Sequence, residues 1–137
     1  MYLILAAIAP VIIFLYLVYR NDTHKEPFKI LLKCLFGGAI AIILTLILNI
    51  PLAFFKPFFT FPYGYEFYTA FIAAAFAEEL SKFLVLYFMV WKLKDFDQHY
   101  DGIVYAVFVS LGFALIENVL YVFDGGLGVA GVRAVLA

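Results

Sequence analysis

The chain of 137 residues is short of charge: only 14% of it is charged, while 67% is hydrophobic and 20% aromatic. A soluble domain carries about 25% charged and about 45–50% apolar residues, and a chain this short buries too little surface to hide the excess from water. Lipid is the solvent that such a composition suits. An excess of one sign is also lacking. The net charge of −1 provides no basic field and excludes nucleic acid as a partner. Cysteine is limited to Cys34, which rules out an internal disulfide and a cysteine-based zinc site. With nothing nearby to form a thiolate, it reads as an inert residue at a helix start. Histidine is limited to His24 and His99; neither has partners at ligand spacing, so both read as surface residues of loops. No basic region precedes the first apolar run, which also exceeds the ~7–15 residues of a signal-peptide core, so this run reads as a permanent anchor.

What is abundant is uninterrupted apolar sequence. A spanning helix needs about 20 such residues at ~1.5 Å each. Four segments qualify, from Tyr2 to Tyr19, about Ile30 to Phe55, about Phe67 to Trp91, and about Gly102 to Phe123, with Lys33 placed to snorkel outward. A glycine-rich turn (Gly125, Gly126, Gly128, Gly131) is expected next, followed by the start of a fifth segment at about Val132. That segment stops at Ala137, too short to span, which predicts a chain cut in mid-helix. The fold class is thus an all-α polytopic bundle of about four spanning helices plus the start of a fifth, in a single membrane domain of residues 1–137.

Basic residues alternate between loops. Loop one holds Arg20, Lys25, Lys29 and Lys33, loop two only Lys56, loop three Lys92 and Lys94, and the stretch after helix four none before Val132. The positive-inside rule places loops one and three in the cytoplasm and the N-terminus outside a multi-pass cell-membrane protein. Loop three, from Lys92 to Asp101, reads as a short solvated connector. Loop two interleaves Phe54, Phe55, Phe58, Phe59, Phe61, Tyr63, Tyr65, Phe67 and Tyr68 with Pro57 and Pro62. Prolines bar a continuous helix there, and rings this dense suit the headgroup boundary. They serve either as an interfacial anchor or as a lip guiding a lipid-embedded substrate.

The chemistry resides in charges placed where charge is expensive. Helix three carries Glu78, Glu79 and Lys82, and helix four carries Glu117 and Asn118. An ionised side chain near mid-bilayer costs about 2.5–3.5 kcal/mol even on a lenient scale, so four such groups cost on the order of 10 kcal/mol unless they pair inside the bundle. Glu78 and Lys82 stand at i and i+4 on one helical face, with Glu79 rotated by about 100°. Glu117 shares a face with Phe113 and Tyr121. Glu78 is 13 residues from Trp91 and Glu117 is 15 residues from Gly102, so antiparallel neighbours bring both roughly 20 Å above the inner boundary. Three carboxylates and one ammonium leave a deficit of positive charge, so either one carboxyl keeps its proton or a cation joins. A carboxylate beside a carboxylic acid is equipped for general base and acid catalysis on water, and a carboxylate set also suits a divalent ion. Interhelical glue is the plainer role, typically about 0.6 kcal/mol per polar pair in membranes. That is little against the insertion cost, although for Asn118 and Tyr121 alone it is the better account. Ser81 reads as a backbone-bonded helix serine, with no His or Asp at its depth to activate it.

Glu78-Glu79-x-x-Lys82 on one helix, followed on the next by Phe113-x-x-x-Glu117-Asn118-x-x-Tyr121, resembles the PrsW family, part of the larger group of CAAX-prenyl-protease-like membrane proteins. Asp101 also looks like that family's pattern. The resemblance implies an intramembrane protease and the N-terminal part of a longer PrsW-like domain. Glu78, Glu79 and Glu117 are then the catalytic glutamates, acting on water, with Lys82, Asn118 and Tyr121 in support. It implies a membrane-anchored protein substrate, such as an anti-sigma factor cut on its extracytoplasmic side. No cofactor is required by the sequence, and a divalent metal ion is compatible with it. The family carries a further histidine on a later helix. None follows His99 here, which predicts either a fragment or an incomplete catalytic set, and no activity from the isolated chain. The alternatives are a non-enzymatic carrier or proton pathway using the same acids, which predicts ion flux without cleavage, and a scaffold whose acids only assemble helices.

Overall fold

In hydrocarbon every backbone N–H and C=O must find its partner within the chain, which leaves the helix as the form for a long apolar segment. A computed structural model of the chain describes the backbone of residues 2–22, 25–91 and 99–136, and the side chains of 4–5, 8–22, 25–91 and 100–123. The described residues contain helices and no strand: α1 Tyr2–Asn21, α2 Phe28–Phe55, α3 Gly64–Phe67, α4 Ala77–Val90 and α5 His99–Leu136. A 3-10 turn, Lys56–Phe58, extends α2, and a π-helical run, Tyr68–Phe76, joins α3 to α4. The result is an all-α membrane helix bundle of four rods. Phe28–Phe58 and Tyr100–Phe123 are each long and apolar enough to cross a membrane, and Ile8–Asn21 is a shorter apolar helix.

Two expectations are corrected. The glycine-rich stretch is not a turn, and no fifth helix starts at Val132, because α5 runs unbroken through all 38 of its residues. Each glycine weakens a helix by about 1 kcal/mol in water. Opening the ladder in lipid costs more, and no proline follows Pro62 to force a break. The third rod, in turn, starts at Gly64 rather than Phe67, and nine of its residues are π-helical. Loop three at 92–98 and His24 lie outside the described residues.

Helix α5 is the centre of the bundle, packing on α2 and α1, while α4 packs on α2. The closest approach is at Gly38 and Gly112. A methyl group on Gly38 would run into the backbone of Val109 and Phe113, and one on Gly112 into the carbonyl of Leu35. Small residues let membrane helices meet backbone to backbone in this way. Leu31, Cys34, Val90, Val104, Tyr105, Phe108 and Val109 form the buried core nearby. On its far side α2 exposes Ile40, Ile43, Leu46 and Ile47, a face for acyl chains.

Loop one is pinned beneath this core. Asp22, Glu26 and Asp101 are buried, and the Tyr105 hydroxyl donates to Glu26 Oε2. The Glu26 backbone N–H donates to Asp22 Oδ2 at 3.3 Å. Burial raises the Glu26 carboxyl above its ordinary value, opposed by the Tyr105 hydrogen bond and reinforced by Asp101 and Asp22. The folded state therefore binds the proton more tightly than the unfolded chain, and stability falls as pH rises from the ordinary carboxyl range through the raised value. Glu26→Gln, which keeps an acceptor for Tyr105, is expected to raise the thermal midpoint at neutral pH and to flatten its decline above pH 4.5. An unchanged pH profile of melting in detergent would refute this.

Candidate functional site

Beyond Lys33, polar side chains recur along one side of α2 and the 3-10 turn that extends it: Thr45, then Asn49 at i+4, then Lys56 eleven residues after Thr45. This side meets the third rod. Ser81 is fully buried, Thr45 nearly so, and the two hydroxyls share a short hydrogen bond across the helices. Each also reaches its own backbone, Thr45 Oγ1 to the Ala41 carbonyl at 2.9 Å and Ser81 Oγ to those of Ala77 at 2.8 Å and Glu78 at 2.9 Å. A hydroxyl has one proton, so at any moment one hydroxyl bonds along its helix while the other bonds across. This lock fixes α4 against α2 one turn below the glutamates. Thr45→Val and Ser81→Ala are each expected to destabilise the bundle, with a coupling of about 0.6–1.7 kcal/mol in a double-mutant cycle. Strict additivity in detergent unfolding would show that the two hydroxyls do not interact.

Above the lock the two sequence-adjacent glutamates part company. Lys82 Nζ closes on Glu79 Oε1 at 2.9 Å, an i,i+3 pair, where spacing had pointed to Glu78 at i+4. The same ammonium lies 4.3 Å from the centroid of the Phe113 ring on α5. Lys82 is thus held from two sides and its side chain is 16% exposed, whereas that of Glu79 is 73% exposed. The ring's negative face adds to the carboxylate in holding the charge away from lipid. Glu79 and Lys82 line a small cavity of 180 Å³ against Ala106 and Ser110 of α5.

Glu78 lines a different cavity, of 360 Å³, between α2 and the π-helical run. Asn49, Ala53, Lys56, Thr69 and Ala73 are also in its wall. The Tyr68 hydroxyl donates to the Leu52 carbonyl at 2.9 Å and ties the π-helical run to α2 beside this opening. Glu117 is half-buried, Asn118 buried and Tyr121 half-buried, on the turns of α5 that follow Phe113. The structure therefore brings Glu79, Lys82 and Phe113 together and sets Glu78 on a cavity of its own. Thr45, Asn49 and Thr69 were missed by sequence reasoning. The signal for the first two was polar residues four apart in a spanning helix.

Among the described residues no three of His, Cys, Asp and Glu are grouped to hold a metal ion.

A profile described as "PrsW family intramembrane metalloprotease" matches residues 26–137. The chain is similar to "Protease PrsW" of Oceanobacillus iheyensis, 36% identical over 132 residues, covering 95% of this chain and 58% of the relative. It is likewise 36% identical over 137 residues to "Protease PrsW" of Bacillus subtilis, covering 98% of this chain and 60% of the relative. A third, "Protease PrsW" of Clostridioides difficile, is 36% identical over 125 residues, covering 89% and 51%. The chain thus spans between half and three fifths of these relatives' length. No solved structure matches it.

Proposed function

The chain belongs to the PrsW family of intramembrane metalloproteases, and from that membership and the site geometry we propose that it supplies the glutamate machinery of a membrane-embedded peptidase. It is then the N-terminal part of a longer PrsW-like domain. The observation that carries the assignment of roles is the split between the two glutamates. Glu79 is committed to Lys82, while Glu78 fronts a cavity with space for water and a peptide bond.

Glu78 acts as the general base. It takes a proton from water, the water oxygen bonds to the peptide carbonyl carbon, and the proton passes to the departing amide nitrogen as the C–N bond breaks. Glu79 and Lys82 set the local charge so that Glu78 can hold and release that proton. Glu117 shares the proton load, Asn118 steadies the carbonyl oxygen, and Tyr121 supports their turn of α5. Loops one and three face the cytoplasm and the N-terminus lies outside, so the glutamates sit in the outer half of the membrane. The substrate class is a membrane-anchored protein, such as an anti-sigma factor, cut on its extracytoplasmic side.

The test is cleavage of a single-span, fluorescently labelled peptide by the intact protein in liposomes. The Glu78→Gln, Glu79→Gln double variant is expected to bind the peptide and release no fragment. Fragment release at the wild-type rate would end the assignment.

A further inference from the structure

A peptide bond inside a membrane helix is shielded by its own hydrogen bonds, and unwinding it exposes N–H and C=O groups that lipid cannot satisfy. Whatever cleaves it must offer those groups substitutes. The cavity in front of Glu78 has them. The Asn49 Oδ1 and Thr69 Oγ1 atoms are buried and have no hydrogen-bond partner among the described residues, and both residues line that cavity. An unpaired buried polar atom is costly. Two at one cavity call for a ligand with matching groups.

The geometry of the walls narrows the ligand. Asn49 stands one turn above the Thr45 lock on α2, and Glu78 stands one turn above Ser81 on the facing rod, so the cavity opens where the lock ends. A side-chain amide both donates and accepts, and a hydroxyl does the same, which is the pairing a strand of peptide backbone presents. Ala53 and Ala73 face the same space and leave it clear of bulk. Thr69 belongs to the π-helical run, a conformation frequent at functional sites.

We propose that this cavity is a backbone-binding subsite, in which Asn49 and Thr69 hydrogen-bond an unwound, extended segment of the substrate and present its scissile carbonyl to Glu78. The inference rests on the proteolytic reading of Glu78 and extends it to how substrate is held. It predicts a preference for membrane segments that unwind readily and carry small residues at the cut.

The experiment uses the intact protein with Glu78→Gln, to bind without turnover, and a photoreactive benzoyl-phenylalanine in place of Lys56, a long side chain in the same wall. The probes are two biotinylated single-span peptides, one with a Gly-Ala-Ser stretch at its outer end and one all-leucine. Photocapture of the first and not the second is expected. Capture of both equally, or of a segment of the protein itself, overturns the subsite. In the active protein, Asn49→Leu is expected to raise KM on the order of tenfold with a smaller change in kcat, since a lost hydrogen bond to a buried group is worth about that factor. Its thermal midpoint should stay level or rise, because an orphaned polar atom has been removed. A lowered midpoint with unchanged KM makes Asn49 a structural residue and overturns the proposal. Thr69→Val, read in the same way, decides the matter if Asn49→Leu does not fold. Failure of the proteolytic reading is distinguishable: the glutamate double variant then still cleaves, whatever photocapture shows.

Discussion

Alanine in place of Gly112 is expected to unfold the protein at a far lower denaturant strength than wild type, with a loss of about 3 kcal/mol or more, beyond the range of overpacking that side chains can relieve. The added methyl would press into the Leu35 carbonyl oxygen and lie 2.8 Å from its carbon. Both are backbone atoms of α2, so no rotamer change relieves the clash and the helices must separate. Overpacking of this kind costs about 1–3 kcal/mol where side chains can shift, and more where they cannot. The loss also removes backbone contact along the α2–α5 crossing. Gly37→Ala is the control. Its methyl meets the Met89 sulfur at 2.6 Å, the end of a flexible side chain that can move aside. Unfolding in graded SDS should rank Gly112→Ala well below Gly37→Ala, and equal midpoints would show that α2 and α5 do not meet through their backbones. Phe113, the neighbour of Gly112, holds Lys82 against its ring, so the substitution is expected to reduce turnover as well.

The second large effect is catalytic and asymmetric. Glu78→Gln is expected to lower kcat by roughly 10²–10⁴, the usual loss for a positioned general base. Glu79→Gln is expected to lower it by less. Its carboxylate is spent on Lys82 and its side chain lies largely at the surface of the described bundle. On the proposed roles, removing it changes the charge around Glu78 and leaves the proton acceptor in place. The pH–rate profile separates the roles, since a variant that perturbs the base's surroundings moves the limb of the profile while loss of the base abolishes it. If Glu79→Gln proves the more damaging, with the cavity-facing Glu78 dispensable, base and charge partner must be exchanged.

The rods were legible because a membrane helix needs little beyond length and apolarity. The continuity of α5 through Gly125, Gly126, Gly128 and Gly131 was not. Glycine signals a break in water, and its signal weakens where an open backbone has no solvent to turn to. The π-helical run left no mark in the sequence either: Tyr68–Phe76 is an apolar, alanine-rich stretch like others in the chain. At the site, residue types and depth were readable, whereas the partner of Lys82 was not. Both Glu78 and Glu79 lie within helical reach, and the Phe113 ring on another helix holds the ammonium where it meets Glu79. The Tyr105–Glu26 bond joins residues 79 apart, and no local pattern announces a contact of that range.

The π-helical run has a bearing on how such chains vary in length. A π turn closes its hydrogen bond over one residue more than an α turn, so it stores chain that an α-helix would not need. Loss of one alanine from this run can be absorbed by tightening it to α, without disturbing the loop before it. The α form turns further per residue, about 100°, so the missing residue is made up in the twist and Thr69 stays on the side of Glu78. A gap at this place is therefore tolerable both to folding and to the wall shared by Thr69 and Glu78, whereas a one-residue gap between Glu78 and Ser81, in regular α-helix, has no such reserve and turns the cavity against the Thr45 lock by about 100°.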